Sequence, residues 1–248
     1  MIYRPRLNKY IYDFINYHKK SNVVGIISDT HYPFAHKAHL NFLYETFNKF
    51  QVNRVVHIGD LVDGHSLSYH ESANGAVSPS KESELAQKDI DKLFSTFGDG
   101  DLMMGNHDEL INRRMLKHSI PKKFYKSFAE AWNFPKGWKT HNYLEIDNVL
   151  YLHGTGKSGN NAAVSFMQDY RRSVVIGHTH SSGGVNYRAS YKELCFALNV
   201  GCLIGNSLAF AYGKNFSKKP TLGCGIVVDG KHGFFIPMDL GKKITYSK

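Results

Sequence analysis

Five short motifs rich in carboxylate, amide and imidazole groups follow one another down the chain. They are Asp29-Thr30-His31, Gly59-Asp60-Leu61-Val62-Asp63, Gly105-Asn106-His107-Asp108, His153-Gly154 and Gly177-His178-Thr179-His180. Oxygen and imidazole donors of this kind suit borderline divalent metals such as Mn, Fe, Zn or Co. None of the three cysteines (Cys195, Cys202, Cys224) falls in a motif, so a structural thiolate zinc site is not expected. Seven candidate ligands, Asp29, His31, Asp60, Asn106, His153, His178 and His180, are too many for one tetrahedral ion. They suit two ions that share a carboxylate. A pair of ions about 3.5–4 Å apart is the recurring device for displacement at phosphorus, because it clamps the attacking and leaving oxygens together.

Such groups need strands to carry them to one place. Four of the motifs follow apolar, β-branched runs, Val23 to Ile27, Arg54 to Ile58, Val149 to Leu152 and Ser173 to Ile176, and Leu102-Met103-Met104 precedes the other more weakly. Donors at the carboxyl ends of successive strands converge on one edge of a sheet, where open α/β proteins bind their ligands. Within Asp29/His31 and His178/His180 the i, i+2 spacing aims both side chains the same way across the pleat. Apolar periodicity predicts helices over residues 38–50, 81–97, 108–117, 121–132 and 160–170, with a turn at Asp147-Asn148 between strands 140–147 and 149–153. Residues 1–21 read as an amphipathic helical arm with Ile11, Phe14 and Ile15 on one face, and residues 183–248 as a β-rich part of the same single domain.

The ordered set resembles the calcineurin-like metallophosphoesterases, whose pattern D-x-H, G-D-x-x-D, G-N-H-[DE], H and G-H-x-H is matched between about Ile26 and His180. The resemblance implies an α/β fold of two packed mixed β-sheets flanked by helices, an αββα sandwich. It implies that Asp29, His31, Asp60 and His180 hold one divalent ion, and that Asp60, Asn106, His153 and His178 hold a second, with Asp60 bridging. Mn²⁺ is the first choice of ion, with Zn²⁺, Fe or Co as others. His107 matches the family's catalytic histidine and Asp108 its orienting carboxylate. Asp63 is expected to orient an imidazole or a backbone amide from behind the ligands. The stretches Gly64 to Asn74 and Asn199 to Phe210 look like small phosphoesterases of tailed bacteriophages.

Two departures bear on the substrate. Family members that act on proteins usually carry Arg directly after G-D-x-x-D and Glu after G-N-H, where this chain has Gly64 and Asp108. Both tilt the reading toward phosphodiesterase and nuclease chemistry, by attack of a hydroxide held between the ions. Lys and Arg outnumber Asp and Glu by 31 to 21, a net charge of +10, which favours nucleic acid or nucleotides as partners over an acidic membrane surface. His65 and His70, in a polar loop, and Arg113 and Arg114, at the head of a basic run through Lys126, are the candidate substrate-binding residues. The alternatives are a phosphomonoesterase acting on proteins or small molecules, and a non-catalytic nucleic-acid-binding protein on the same fold. An intact ligand set counts against the second and against a scaffold role. An odd number of cysteines, no signal-like apolar segment and no long apolar span predict a cytoplasmic protein without a membrane anchor.

Overall fold

The apolar runs before the motifs form strands buried on both faces, which is why they lack polar alternation. A computed structural model describes residues 21–64, 78–205 and 219–239. Strands β1 (Val23–Ile27), β2 (Arg54–His57), β3 (Gly100–Met103) and β4 (Trp138–His141) run parallel in the first sheet. Strand β10 (Gly223–Val228) pairs antiparallel with β1 and carries β11 (His232–Pro237) at the edge. The second sheet has the order β5 (Tyr143–Ile146), β6 (Val149–Leu152), β7 (Ser173–Ile176), β9 (Leu194–Val200) and β8 (Gly183–Ala189). Its three inner strands are parallel and its two edges antiparallel.

Alternation within each strand divides the core into three layers. Val24, Ile26, Val56, Ile58 and Met103 of the first sheet meet Val149, Tyr151, Val175, Leu198 and Val200 of the second. The opposite face of the first sheet, through Val23 and Ile27, packs on helices α1 (His39–Lys49) and α2 (Pro79–Phe97) by way of Phe42, Leu43, Phe47, Ile90 and Leu93. Gly25 lets α1 approach closely, since a methyl group there would lie 2.8 Å from the Phe47 ring. The outer face of the second sheet, through Leu150, Val174 and Ile176, packs on Phe166 and Met167 of helix α5 (Ala162–Tyr170). The expected αββα sandwich of two mixed sheets is the observed architecture.

Several local expectations change. Helix α2 starts at Pro79, ahead of residue 81, because Ser78 caps it by accepting from the Lys81 amide and proline suits the first turn. Short helix α3 spans Leu110–Lys117. The helix expected over 121–132 is instead a 3₁₀ turn at Lys122–Phe124 and a single turn, α4, at Phe128–Ala131. A Ser127/Glu130 capping box starts α4, and a cap in mid-run interrupts the helix. The run 140–147 is divided between the sheets, with β4 ending at His141 and β5 starting at Tyr143. Asp147-Asn148 does turn the chain between β5 and β6, both residues having positive φ as a two-residue hairpin requires. Strand β8 was not anticipated; it is an edge strand with polar, exposed positions. The proposed arm lies almost wholly outside the described residues, as do His65, His70, the first phage-like stretch beyond Gly64 and the last five residues of the second. Cys202 and Cys224 are buried thiols, while Cys195 is partly exposed.

Candidate metal centre

The seven candidate ligands and His107 leave the carboxyl ends of β1, β2, β3, β6 and β7, so both sheets deliver side chains to one rim of the sandwich. Within this rim Asp29, His31, Asp60 and His180 form one cluster, and Asp60, His153 and His178 a second, with donor atoms in each within 4.8 Å of one another. Asp60 belongs to both. Its Oδ2 lies 3.5 Å from His31 Nε2 and 3.3 Å from His153 Nε2, between one imidazole of each cluster.

Each carboxylate has one oxygen fixed by the protein and one turned into the rim. Asp29 Oδ2 accepts from the His178 amide at 3.0 Å and from the Ser28 hydroxyl. Asp29 Oδ1 faces His180 Nε2 at 3.0 Å and His31 Nε2 at 3.8 Å. Asp60 Oδ1 accepts from the His107 amide at 2.9 Å, leaving Oδ2 in the shared position. Two motif glycines make room for these carboxylates: a methyl group on Gly105 would collide with Asp60, and one on Gly177 with Asp29. Asp29, His31, Asp60 and His178 all have positive φ, a conformation that costs of order 1–3 kcal/mol for a residue with a side chain. Four such residues among the ligands mark the rim as a place where the fold tolerates strain.

Groups behind the ligands set the tautomers. His153 Nδ1 lies 2.8 Å from the Ile58 carbonyl, which can only accept, so that nitrogen carries the proton. Its Nε2 then faces Asn106 Oδ1 at 3.0 Å and Asp60 Oδ2 at 3.3 Å. Two oxygens thus converge on Nε2, which meets them either with a second proton of its own or with a shared cation in place of that proton. In the same way Asp63 Oδ1 accepts from His31 Nδ1 at 2.8 Å and turns Nε2 toward the two aspartates. Burial disfavours charge on both rings, yet the carboxylates prevail. Asp29 and Asp63 help to raise His31 to about 10, and Asp60 raises His153 to about 9. Burial would raise Asp29 and Asp60 too, but His180 and His31 around the first and His153 around the second hold both well below the usual carboxylate range. Buried, ionised carboxylates facing imidazole nitrogens, whose second proton a cation would displace, fit a pair of divalent cations in donor type and number.

His107 sits beside both clusters and is partly exposed; its Nδ1 donates to the Asp63 carbonyl at 2.6 Å, so Nε2 is not the atom engaged there. Burial and then the charge of His31 lower its pKa. Asp108 does not orient this ring, contrary to expectation. Its carboxylate instead accepts from the Gly105 amide at 2.9 Å and the Val62 amide at 3.3 Å, tying the second motif to the third. Burial, followed by the charge on Asp60, pushes Asp108 up to about 7. The residue that does hold His107 is Asp63, through a backbone atom that no side-chain pattern reveals. Ser28 was likewise missed, although its place beside Asp29 was a signal.

Arg113 reaches the rim, its Nη2 lying 2.5 Å from the Asn106 carbonyl. Arg114 is partly buried in α3, while Lys122, Lys123 and Lys126 are exposed. Among the described residues no helix is long and apolar enough to cross a membrane.

A model of the calcineurin-like phosphoesterase superfamily domain matches residues 23–212. The chain is 28% identical over 244 residues to the Gene 54 protein of Mycobacterium phage D29, covering 86% of this chain and 91% of that one. It is 26% identical over 245 residues to the Gene 54 protein of Mycobacterium phage L5, with the same coverage. Among solved structures it is similar to a metallophosphoesterase from Sphaerobacter thermophilus, at 16% identity, TM-score 0.47 and 89% coverage of each chain.

Proposed function

The chain belongs to the calcineurin-like phosphoesterase superfamily, and from that premise we propose that it hydrolyses phosphodiesters of nucleic acid or nucleotides with the help of two divalent ions, Mn²⁺ foremost. The observation that carries the reading is Asp60 Oδ2, set 3.5 Å from His31 Nε2 and 3.3 Å from His153 Nε2. Asp29, His31, Asp60 and His180 would hold one ion, and Asp60, Asn106, His153 and His178 the other. Such ions supply Lewis acidity, a water of lowered pKa and neutralisation of charge at phosphorus.

His107 is proposed as the general acid. Its Nδ1 proton is committed to the Asp63 carbonyl, so a second proton on Nε2 is the one available to a leaving oxygen. A lowered pKa makes that imidazolium a stronger acid, and such proton transfer typically contributes about 10²–10⁴-fold. The Asp60–His107 amide contact couples the placement of this acid to the shared carboxylate. A diester carries one negative charge at phosphorus and a monoester up to two. Gly64, where related protein phosphatases usually have a guanidinium, is in keeping with the smaller charge. Its φ of +60° is also one that an arginine would adopt only with strain. The similarity to two mycobacteriophage proteins makes the cytoplasm of an infected bacterium the proposed setting.

A second reading, a phosphomonoesterase, draws on Arg113, whose guanidinium lies beside the Asn106 loop and could grip a dianion. Paired aryl mono- and diester phosphates, assayed after chelation and metal add-back, separate the two. The diester is expected to be the better substrate, with activity lost on chelation and restored by Mn²⁺ but poorly by Ca²⁺. Asp60→Asn is expected to weaken both metal sites. Full activity of that variant with two ions still bound would refute the assignment.

A further inference from the structure

The ligand pairs at the ends of β1 and β7 are anchored by one device, built twice from different residues. In the first sheet β1 and β2 run parallel with Ile27 opposite His57, and Thr30 follows three residues beyond Ile27. In the second sheet β7 and β9 run parallel with Ile176 opposite Asn199, and Thr179 follows three residues beyond Ile176. Each threonine stands between two ligands, Asp29 and His31 or His178 and His180. His57 Nδ1 accepts from the Gly59 amide at 3.2 Å, so Nε2 carries the proton and donates to Thr30 Oγ1 at 3.1 Å. Thr30 in turn donates to the Leu61 carbonyl at 3.0 Å. Asn199 repeats the pattern without a ring. Its Oδ1 accepts from the Gly201 amide at 3.1 Å and its Nδ2 donates to Thr179 Oγ1, which donates to the Gly177 carbonyl at 3.4 Å. All four side chains are buried.

Strained residues persist only where their surroundings over-determine them, and Asp29, His31 and His178, which flank these threonines, all have positive φ. The two anchors are not equal. The amides of Asp29 and His31 also bond to the Gly59 and Asp60 carbonyls, at 3.1 and 3.0 Å, so the first loop is held twice over. The His178 amide bonds instead to a ligand, Asp29 Oδ2, at 3.0 Å. We propose that Thr179 and Asn199 are positioning residues of the metal centre: their hydrogen bond fixes where His178 and His180 stand, and thereby the spacing of the two ions. The inference rests on the two-ion reading, in which His180 belongs to one cluster and His178 to the other. Displacing this one loop therefore loosens both ions. Thr30 and His57 act on Asp29 and His31, which share a single cluster.

Thr179→Val tests this, because it keeps the shape and removes the hydroxyl, while Thr179→Ser keeps the hydroxyl and removes the methyl group. Groups behind metal ligands typically contribute about 10–100-fold to affinity. Calorimetric titration of the chelated protein with Mn²⁺ should show both binding steps weakened by about that factor in Thr179→Val and within a few-fold of the parent in Thr179→Ser. Thr30→Val should displace one step only, by less than about tenfold. A hydroxyl that served the fold alone would lower the melting temperature of Thr179→Val with both steps in place, and that result overturns the proposal. So does a serine variant that binds as weakly as the valine one. A second readout needs no metal. In the chelated protein the imidazole NMR signals of His178 and His180 should shift in Thr179→Val and hold their positions in Thr179→Ser. If the parent takes up fewer than two ions yet these signals shift, the two-ion reading fails and the anchor stands. If they do not shift, the anchor fails whatever the ions do.

Discussion

Replacing Asp63 by Asn tests how His31 is presented, with almost no change of shape. Asp63 Oδ1 accepts from His31 Nδ1 at 2.8 Å and so commits the ring's proton to the side away from the ligands. Nε2 is thereby free to face Asp29 Oδ1 at 3.8 Å and Asp60 Oδ2 at 3.5 Å. A hydrogen bond to a charged group contributes about 1.5–3 kcal/mol, and because both partners are buried little of that is lost to solvent. An amide at this position removes the charge and can offer an N–H to the ring, favouring the opposite tautomer. Partners behind a metal ligand typically contribute about 10–100-fold to affinity, equal to about 1.4–2.8 kcal/mol. The loss should fall on the cluster of Asp29, His31, Asp60 and His180 and spare that of Asp60, His153 and His178. Calorimetric titration with Mn²⁺ at pH 7 should therefore show one binding step displaced by that amount and the other within a few-fold of the parent. His107 provides an internal control, since it is held by the backbone carbonyl that asparagine retains. Equal weakening of both steps, or of neither, would refute the tautomer argument.

Three further outcomes are expected. His107→Asn should keep its metals but slow esters of alkoxide leaving groups about 10²–10⁴-fold, with little effect on nitrophenyl esters, whose leaving group departs without a proton; equal slowing would assign His107 another role. Burial holds His39 down to about 4 and His57 to about 3, against 6.5 for a free imidazole. Both rings are neutral in the fold, so their stabilisation is complete above pH 6.5 and fades as pH falls toward 3. At about 1.36 kcal/mol per pH unit the losses are roughly 3 and 5 kcal/mol. Urea midpoints should drop between pH 7 and 4, less steeply in His39→Gln, and a rise on acidification would contradict the assignment. If the basic run after His107 tracks a nucleic-acid backbone, the log–log salt slope of binding should flatten by roughly two to three units in an Arg113→Ala, Arg114→Ala, Lys122→Ala variant. A slope that is shallow from the start would favour the monoester reading.

The ligands were legible because each follows an apolar run, and a buried parallel strand advertises itself by continuous Val, Ile and Leu. What stayed hidden was decided by tertiary contacts. Nothing local says that His141 belongs to one sheet and Tyr143 to the other, because the alternating pattern runs straight across Asn142. The edge strand Gly183–Ala189 is polar because one flank meets solvent, and so it carries no apolar signature. Asp63 was legible as an orienting carboxylate, yet its carbonyl bond to His107 was not, and the family pattern pointed to Asp108 for that task. Side-chain spacing encodes which groups converge; it is silent on backbone atoms.

The placement of the clusters relative to the two sheets has a mechanical consequence. The first joins Asp29, His31 and Asp60, which follow strands of one sheet, to His180, which follows a strand of the other; the second joins Asp60 to His153 and His178 across the same seam. Any cation bound there is a clasp between two halves that are already joined along this line by the His178 amide on Asp29 and by His153 on the Ile58 carbonyl. Its binding free energy then adds to cohesion of the sandwich as RT ln(1 + [L]/Kd), about 2.7 kcal/mol at a hundredfold excess over Kd. With the clasp removed, protonated imidazoles take its place beside the ionised aspartates, so binding a cation there must expel protons from His31 and His153.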